Sequence, residues 1–465
     1  MSGGNMGTIS WRFVLATVAL TIGCAQRAGY AASSEPRRIE SHDLAIDVER
    51  AVLGNGLRVL LSPDPEATGV AVVMTFEAGT LHEPPGRSGL AHLVEHIIYR
   101  GTTPDTDDVA RLEARQAQHI QATTTPHHMS FEIVVPPEEL PIALWVSADR
   151  VGWISNRLEH LDLDLERHKR VVDMERVQSS VDVHYGLLDQ AIYRRLYPSP
   201  HPLRGLVIGI PTELATVTVE DVRQFVATHI TASNAVLTIT GRFDIDKARA
   251  WVEKTVARLP KVARPPPLGL QFSGQPAQVV QFREVQARRP RVSLVWKLKK
   301  TGPNTETALA LGATLLSSFT DGAFGTQVSA RLERYPDSDL FWLEATLPYD
   351  KPARAAEQEA EVFLRYLTAV DMPRDFFDAT RTAIDLQTML ALDDLVAHAK
   401  LITMVEFVTG DGTTSERYLS RHWRFARHDV QHIAWKNLVR GPPRWVIHAR
   451  PTRPLKARLP WEERP

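Results

Sequence analysis

The stretch of this chain with the most chemistry in it is His92-Leu93-Val94-Glu95-His96. On a helix, residues four apart lie on one face, a turn apart. His92 and His96 can therefore aim both imidazoles at one metal ion, with Glu95 in reach of a water on that metal. Two imidazoles and a carboxylate base equip a zinc hydrolase, because zinc brings the pKa of its bound water down to about 7. The order H-x-x-E-H inverts the H-E-x-x-H zinc motif. A chain with this much His and Glu should hold on the order of 0.04 such pentapeptides by chance. Leu93, Val94, Ile97 and Ile98 make the helix largely apolar, and polar side chains on a buried helix need partners. The bland alternative, three polar residues on a solvated helix face, fits this context poorly.

Zinc in a catalytic site wants a third protein ligand and leaves its fourth position to water. A carboxylate on another helix suits that role. Glu175, 79 residues beyond His96, lies in a helical stretch at 166–190.

The elements that must hold these groups read as alternating strands and helices. Gly54-Asn55-Gly56 turns into a strand at Leu57-Arg58-Val59-Leu60-Leu61, and Val70 to Phe76 is a second strand. A Pro/Gly loop at Pro84 to Gly86 leads to the helix Gly89 to Tyr99 that carries the motif. Asp107 to Gln118, Leu140 to Val151, most of Leu158 to Tyr197, and Thr218 to Thr228 with its Thr cap read as helices. Ser130 to Val135 and Ala235 to Thr240 read as strands. Arg264-Pro265-Pro266-Pro267 then interrupts the pattern as a semi-rigid linker. Beyond it come strands at Val292 to Leu298, Leu340 to Leu347 and Trp445 to Ala449. Helices are expected at Thr305 to Ser317, Ala353 to Leu367, Arg374 to Leu392 and 395–408. The two halves resemble a diverged duplication, and the second has no H-x-x-E-H. The fold class expected is α/β (α+β): two homologous domains, each a sheet packed with helices, at 45–262 and 285–452. The linker is expected at 263–284 and a tail at 453–465.

At 465 residues the chain is long enough for two or three domains. Its 43% hydrophobic and 23% charged residues are ordinary for a globular protein. A formal net charge of −1 gives no basic excess for nucleic acid and no acidic tail. Arg12 precedes a short apolar run, Phe13 to Cys24, below the ~20 residues of a membrane span. Residues 1–32 read as an export signal. Two processing routes are about equal. Leu20-Thr21-Ile22-Gly23-Cys24 resembles a bacterial lipoprotein box with Thr21 off pattern, giving a lipid anchor at Cys24; the other route is cleavage after Ala31. The expected location is the bacterial periplasm, soluble or as a membrane-anchored lipoprotein. Cys24 is the only cysteine, so the mature chain is stabilised by packing, without a disulfide.

Gly89-Leu90-Ala91-His92-Leu93-Val94-Glu95-His96 with Arg100-Gly101-Thr102 resembles the metal helix of the pitrilysin / mitochondrial-processing-peptidase family of inverzincins. Val171-Val172-Asp173-Met174-Glu175-Arg176 has the cadence of that family's third-ligand helix. Leu53-Gly54-Asn55-Gly56-Leu57-Arg58-Val59, Gly79-Thr80 with Glu83, Tyr197 to Pro202, Ile208-Gly209, Ser233-Asn234 and Thr240-Gly241-Arg242 also match it. The resemblance is clear over about 49–245 and looser over 285–450. It implies Zn²⁺ on His92, His96 and Glu175, with Glu95 as the general base that deprotonates the metal's water. It also implies a pair of α/β domains of like topology, with the metal in the first and substrate-contacting surface in the second. The substrate implied is a peptide or unfolded polypeptide held as an added strand. Some bacterial relatives work as pairs, so a homodimer, or a heterodimer with a non-catalytic homologue, is a further expectation.

Departures from the family pattern are informative. His168 replaces a second acidic residue one heptad before the third ligand; it is either a partner orienting the site or a solvated helix histidine. Gln121, in Gln121-Ala122-Thr123, replaces the usual strand Asn near the cleft and keeps its ability to bond backbone. Active members carry an Arg and a Tyr seven residues apart in the second half. Arg334 keeps the first and Phe341 stands at the second. Phe has no hydroxyl, and losing one oxyanion donor costs ~10²–10³ in rate; Tyr335 or a partner chain would have to serve. Among weaker signals, His127-His128 reads as an exposed loop pair and Gly322 and Gly325 as turn glycines. His184 reads as packing and Arg87 as a loop-closing salt bridge. Three functions fit: a self-sufficient zinc endopeptidase, a metal-bearing subunit that needs a sister chain, and a peptide-binding member without catalysis. Intact Glu95 argues against the last.

Overall fold

The computed structural model describes residues 46–451, apart from 101–107, 153–157, 159–160, 162–163, 182, 275, 285–286, 288, 319–325, 349–352 and 370–371. The export signal with Cys24, Gly101-Thr102, Gly322 and Gly325, and the tail lie outside the described residues.

The first domain is built on six strands: β1 (Glu49–Val52), β2 (Arg58–Pro63), β3 (Val70–Phe76), β4 (His119–Thr124), β5 (Met129–Val135) and β6 (Ala235–Gly241). Their order is β1-β2-β6-β3-β5-β4. Only β2 and β6 run parallel; the other pairs are antiparallel. The apolar run of β3 is buried along its whole length, as a central strand covered on both faces requires. Its longer helices include α1 (Leu90–Arg100), α2 (Leu140–Gly152), α3 (Leu165–Arg176), α4 (Gly186–Leu196), α5 (Val219–His229) and α6 (Ile245–Lys254). Leu90, Leu93, Val94, Ile97 and Ile98 of α1 are buried in one core with Val72, Met74, Leu237 and Ile239, so the metal-motif helix is anchored on the sheet.

The second domain has β7 (Val279–Glu284), β8 (Arg291–Lys299), β9 (Gln327–Arg334), β10 (Ser338–Thr346) and β11 (Trp445–Pro451). Their order is β7-β11-β8-β10-β9, with only β7 and β11 parallel. Without β1, both sheets read first, last, second, fourth, third, with the parallel pair in the same place. That is the duplication expected from the sequence. The helix following the second strand of this sheet is α7 (Pro303–Ser317), the counterpart of α1. Its sequence carries neither histidine nor the motif. Helices α8 (Ala353–Thr368) and α9 (Arg374–Asp393) follow. Among the described residues no helix is long and apolar enough to cross a membrane.

Two boundaries differ from expectation. Val279–Glu284, inside the expected linker 263–284, is β7 and pairs with β11. The irregular stretch holds the prolines and ends earlier. The second difference concerns Met389–Ser420, which groups by its contacts with the first domain, not with 285–452. Here α10 (Leu395–Thr409) covers the sheet face opposite α1. Thr403 bonds Thr238 at 2.6 Å, Thr240 donates to the Leu395 carbonyl, and Lys400 pairs with Glu132. Glu406, with no exposed side-chain surface, takes two bonds from Arg50 (2.8 and 2.9 Å) and one from the Gly412 N–H.

Burial pushes the Glu406 carboxyl up, but the bonds from Arg50 and Gly412 outweigh it and hold the group below its ordinary value. A carboxylate with a depressed folded pKa stabilises the fold above its unfolded pKa and loses that contribution as pH falls through the folded one. Glu406→Ala strips Arg50 of both bonds and the largely buried Arg58 of a carboxylate 3.9 Å away, and should cost about 3 kcal/mol at neutral pH. The urea midpoint of the first domain checks this, and the gap to wild type should shrink as pH falls below 4.5.

Candidate functional site

The start of α1 is built by close backbone contacts. Gly89 and Gly209 both have positive φ, +95° and +80°. A Cβ on Gly209 would lie 2.6 Å from the Gly89 Cα, so two loops touch main chain to main chain just before the helix. Gly209→Ala should therefore destabilise the first domain by about 1–3 kcal/mol and weaken metal uptake; a thermal melt with and without zinc measures both. Glu83 then caps the helix. Its Oε1 accepts from the Gly89 N–H (3.0 Å) and the Ala91 N–H (2.9 Å), filling two of the donors that a helix start leaves open. Burial nevertheless pushes its carboxyl well above the usual range, against those two bonds.

α1 brings His92 and His96 together, and α3 brings Glu175 to them from its last turn before the chain widens into a π turn at Val177–Val181. His92 Nε2 is 3.2 Å from His96 Nε2, His96 Nε2 is 3.2 Å from Glu175 Oε2, and His92 Nε2 is 3.5 Å from the same oxygen. Zinc bonds of about 2.0–2.1 Å in tetrahedral array place ligand atoms about 3.3–3.4 Å apart. The triangle fits one such ion, with its fourth corner left for another ligand. Exposure rises around it, from 8% for the His92 side chain to 22% for His96 and 31% for Glu175.

The protonation states suit ligation. Burial, and to a lesser degree His96, lower the pKa of His92 against the pull of Glu95 and Glu175, leaving a neutral imidazole. Burial pushes the Glu175 carboxyl up, but the bond from His96 and the nearness of both imidazoles outweigh it and hold the group below its ordinary value, leaving a carboxylate. His92 Nδ1 is buried with no hydrogen-bond partner. Glu95 stands beside the pair, its carboxylate within 4.8 Å of both imidazoles, and accepts a 2.7 Å bond from Thr124 Oγ1. The sequence alone points neither to Thr124 nor to the capping role of Glu83. Thr124 carries a sequence signal only when strand alternation is counted from Ala122.

The other sequence candidates separate. His168 lies on α3 and is buried, not a solvated histidine. Burial first, then Arg167, push it down to about 4, so it is neutral. Its Nε2 makes no hydrogen bond. Gln121 sits exposed on β4, the outermost strand of the sheet. His119 and Thr123 of the same strand both bond Glu132, so by alternation Gln121 shares their face and Thr124 points to the other, toward Glu95. Arg334 ends β9 in the second domain, 3.6 Å from Glu306. Phe341 is fully buried there and packs edge-on against Trp296, while the Tyr335 hydroxyl donates to Glu333 at 3.3 Å. Arg87 makes the loop-closing bridge, 2.9 Å to Asp221. His128 is stacked on Phe407 of α10 instead of standing exposed in a loop, and His184 is exposed instead of packed.

Residues 58–200 match the model of insulinase (peptidase family M16), and residues 216–383 match that of the peptidase M16 inactive domain. Coenzyme PQQ synthesis protein F of Pseudomonas aeruginosa is 30% identical over 251 residues, covering 50% of this chain and 31% of that protein. The mitochondrial-processing peptidase subunit beta of Lentinula edodes is 26% identical over 228 residues, covering 48% and 46%. The chain thus spans less than half the length of these curated relatives. Among solved structures, a Helicobacter pylori protease superimposes with a TM-score of 0.77 at 18% identity, covering 87% of this chain and 100% of that one. Pitrilysin gives 0.70 at 16%, covering 88% and 45%. The structural likenesses establish the fold, and the family models agree with them from the sequence side. With both sheets, both domain types and the inverted motif accounted for, the chain belongs to peptidase family M16, the insulinase family.

Proposed function

We propose that this chain is a zinc-dependent endopeptidase of peptides or unfolded segments, with Zn²⁺ held by His92, His96 and Glu175 and with Glu95 as general base. The observation that carries this is the 3.2–3.5 Å triangle of donor atoms with a carboxylate base beside it. When bound, zinc supplies Lewis-acid polarisation of the scissile carbonyl and makes the attacking water more acidic. Glu95 takes the proton from that water and hands it to the leaving amine. His92, neutral, keeps its Nε2 lone pair for the metal, His96 offers its Nε2 beside it, and Glu175 adds the charge that balances it. Substrate lies extended along the edge of β4, where main-chain bonds read any sequence. Gln121 supports that edge without touching the substrate, its side chain being on the far face and its main chain turned to β5. Arg334 is the proposed contact to substrate from the second domain. The reading of residues 1–32 as an export signal supports a periplasmic location.

One observation favours a second reading, a metal-bearing subunit completed by a sister chain. Phe341 has no hydroxyl and is sealed in the core of its domain, so it offers no donor to an oxyanion. The processing-peptidase relative is itself named as a subunit, subunit beta. The deciding experiment incubates the purified mature chain with zinc and a pool of unfolded peptides. Cleavage by the chain alone establishes the self-sufficient enzyme. Stoichiometric zinc without cleavage moves the reading to the paired enzyme or a binding protein. Absence of stoichiometric zinc removes all three.

A further inference from the structure

The outer edge of β4 and the base of the proposed reaction meet in one residue. In the β4–β5 hairpin the Thr125 N–H bonds the His128 carbonyl at 2.8 Å. Antiparallel pairs alternate between those that exchange main-chain bonds and those that do not. Counting back along the register, Thr123, Gln121 and His119 turn their main-chain groups toward β5. Thr124, Ala122 and Ile120 turn theirs toward the open edge. The Ile120 carbonyl is already taken by the Tyr99 hydroxyl at 2.9 Å, which leaves Ala122 and Thr124 as the places where an added strand would bond. The side chain of Thr124 points the other way, to the α1 face, and its hydroxyl grips Glu95 Oε2 at 2.7 Å.

We infer that Thr124 is a positioning residue that couples occupation of the β4 edge to the aim of Glu95. The inference rests on the reading of Glu95 as the base. A carboxylate has two equivalent oxygens and free rotation about its last bond. One hydroxyl bond fixes which oxygen faces the water and which is held back. A peptide strand bonded to the Thr124 main chain holds the backbone from which that hydroxyl hangs. The base would then be most sharply aimed when substrate is in place, and hydrolysis without a bound strand would be disfavoured.

The test is Thr124→Val, which keeps shape and strand propensity and removes the donor, beside Thr124→Ser, which keeps the donor. Thr124→Ala serves should Val disturb the hairpin. Peptide hydrolysis is measured together with zinc content and a crystal structure of the variant. The expected result is kcat down about tenfold in the Val and Ala chains, since exact placement of a base carries much of its effect. KM should stay within about twofold, zinc should be unchanged, and Ser should restore the rate. The Glu95 carboxylate should be turned or disordered in the Val structure, with His92 and His96 in place. Wild-type kcat in Thr124→Val overturns the inference, and so does a Glu95 carboxylate that has not moved. If the wild-type chain cleaves nothing, the proposed function fails on its own assay, and the position of Glu95 in the Val structure alone decides this inference.

Discussion

Glu95→Gln should abolish peptide hydrolysis while leaving zinc bound at one equivalent. The amide keeps the size of the side chain and can still accept the Thr124 hydroxyl bond, so α1 has no reason to move. What is lost is the acceptor for the proton of the attacking water. A positioned general base contributes about 10²–10⁴ in rate, or about 3–5 kcal/mol of barrier at 1.36 kcal/mol per factor of ten. The three proposed ligand atoms are untouched, so metal content by elemental analysis and the zinc-induced rise in melting temperature should match wild type. A loss of zinc together with activity would mean that Glu95 is a ligand and not the base. Undiminished activity would mean that the reaction is run by other groups.

Removing a ligand should give the opposite pattern. His92→Ala and Glu175→Ala each leave two corners of the triangle, and each should abolish stoichiometric zinc and activity together. Stability gives an independent readout. Zinc at about 100 times its dissociation constant adds about 2.7 kcal/mol to a fold that alone binds it, which for a domain of this size is about 5–10 °C in melting temperature. Wild type should show that rise and the ligand variants should not. The metal-free chains should behave differently again. His92 is buried with an unbonded Nδ1, and an unsatisfied buried polar group costs about 1–3 kcal/mol. His92→Ala without metal should therefore melt no lower than the metal-free wild type, unlike an ordinary large-to-small core change. A large loss in the metal-free variant would mean that the imidazole is there for packing.

Much of the site is legible in the sequence. Histidines four apart on an apolar helix can hardly avoid sharing a face, and their geometry follows from helix pitch alone. Glu175 was readable as a carboxylate on a later helix, but its approach to within 3.2 Å of His96 depends on how α3 crosses α1, which no local pattern records. His168 illustrates the limit. Its heptad spacing from Glu175 was visible, while its burial was not, because the charged neighbours on α3 suggest a solvated helix.

What the sequence determined by itself is what short-range stereochemistry dictates: the motif helix, the alternating strands, the duplicated α/β grammar and the turn at Gly54-Asn55-Gly56. Tertiary structure alone decided which surfaces meet. The chain around Leu395–Thr409 reads as a helix in either domain. Its place on the first sheet is set by Glu406 against Arg50, Lys400 against Glu132 and Thr403 against Thr238, pairings up to 356 residues apart. β7 was hidden for a related reason, since a short edge strand that follows a proline-rich stretch is defined by its neighbour, β11. Thr124 became informative only when one face of an edge strand was laid against α1. Local periodicity fixes the direction of a side chain within its own element, but the group it meets depends on packing between elements far apart in the chain.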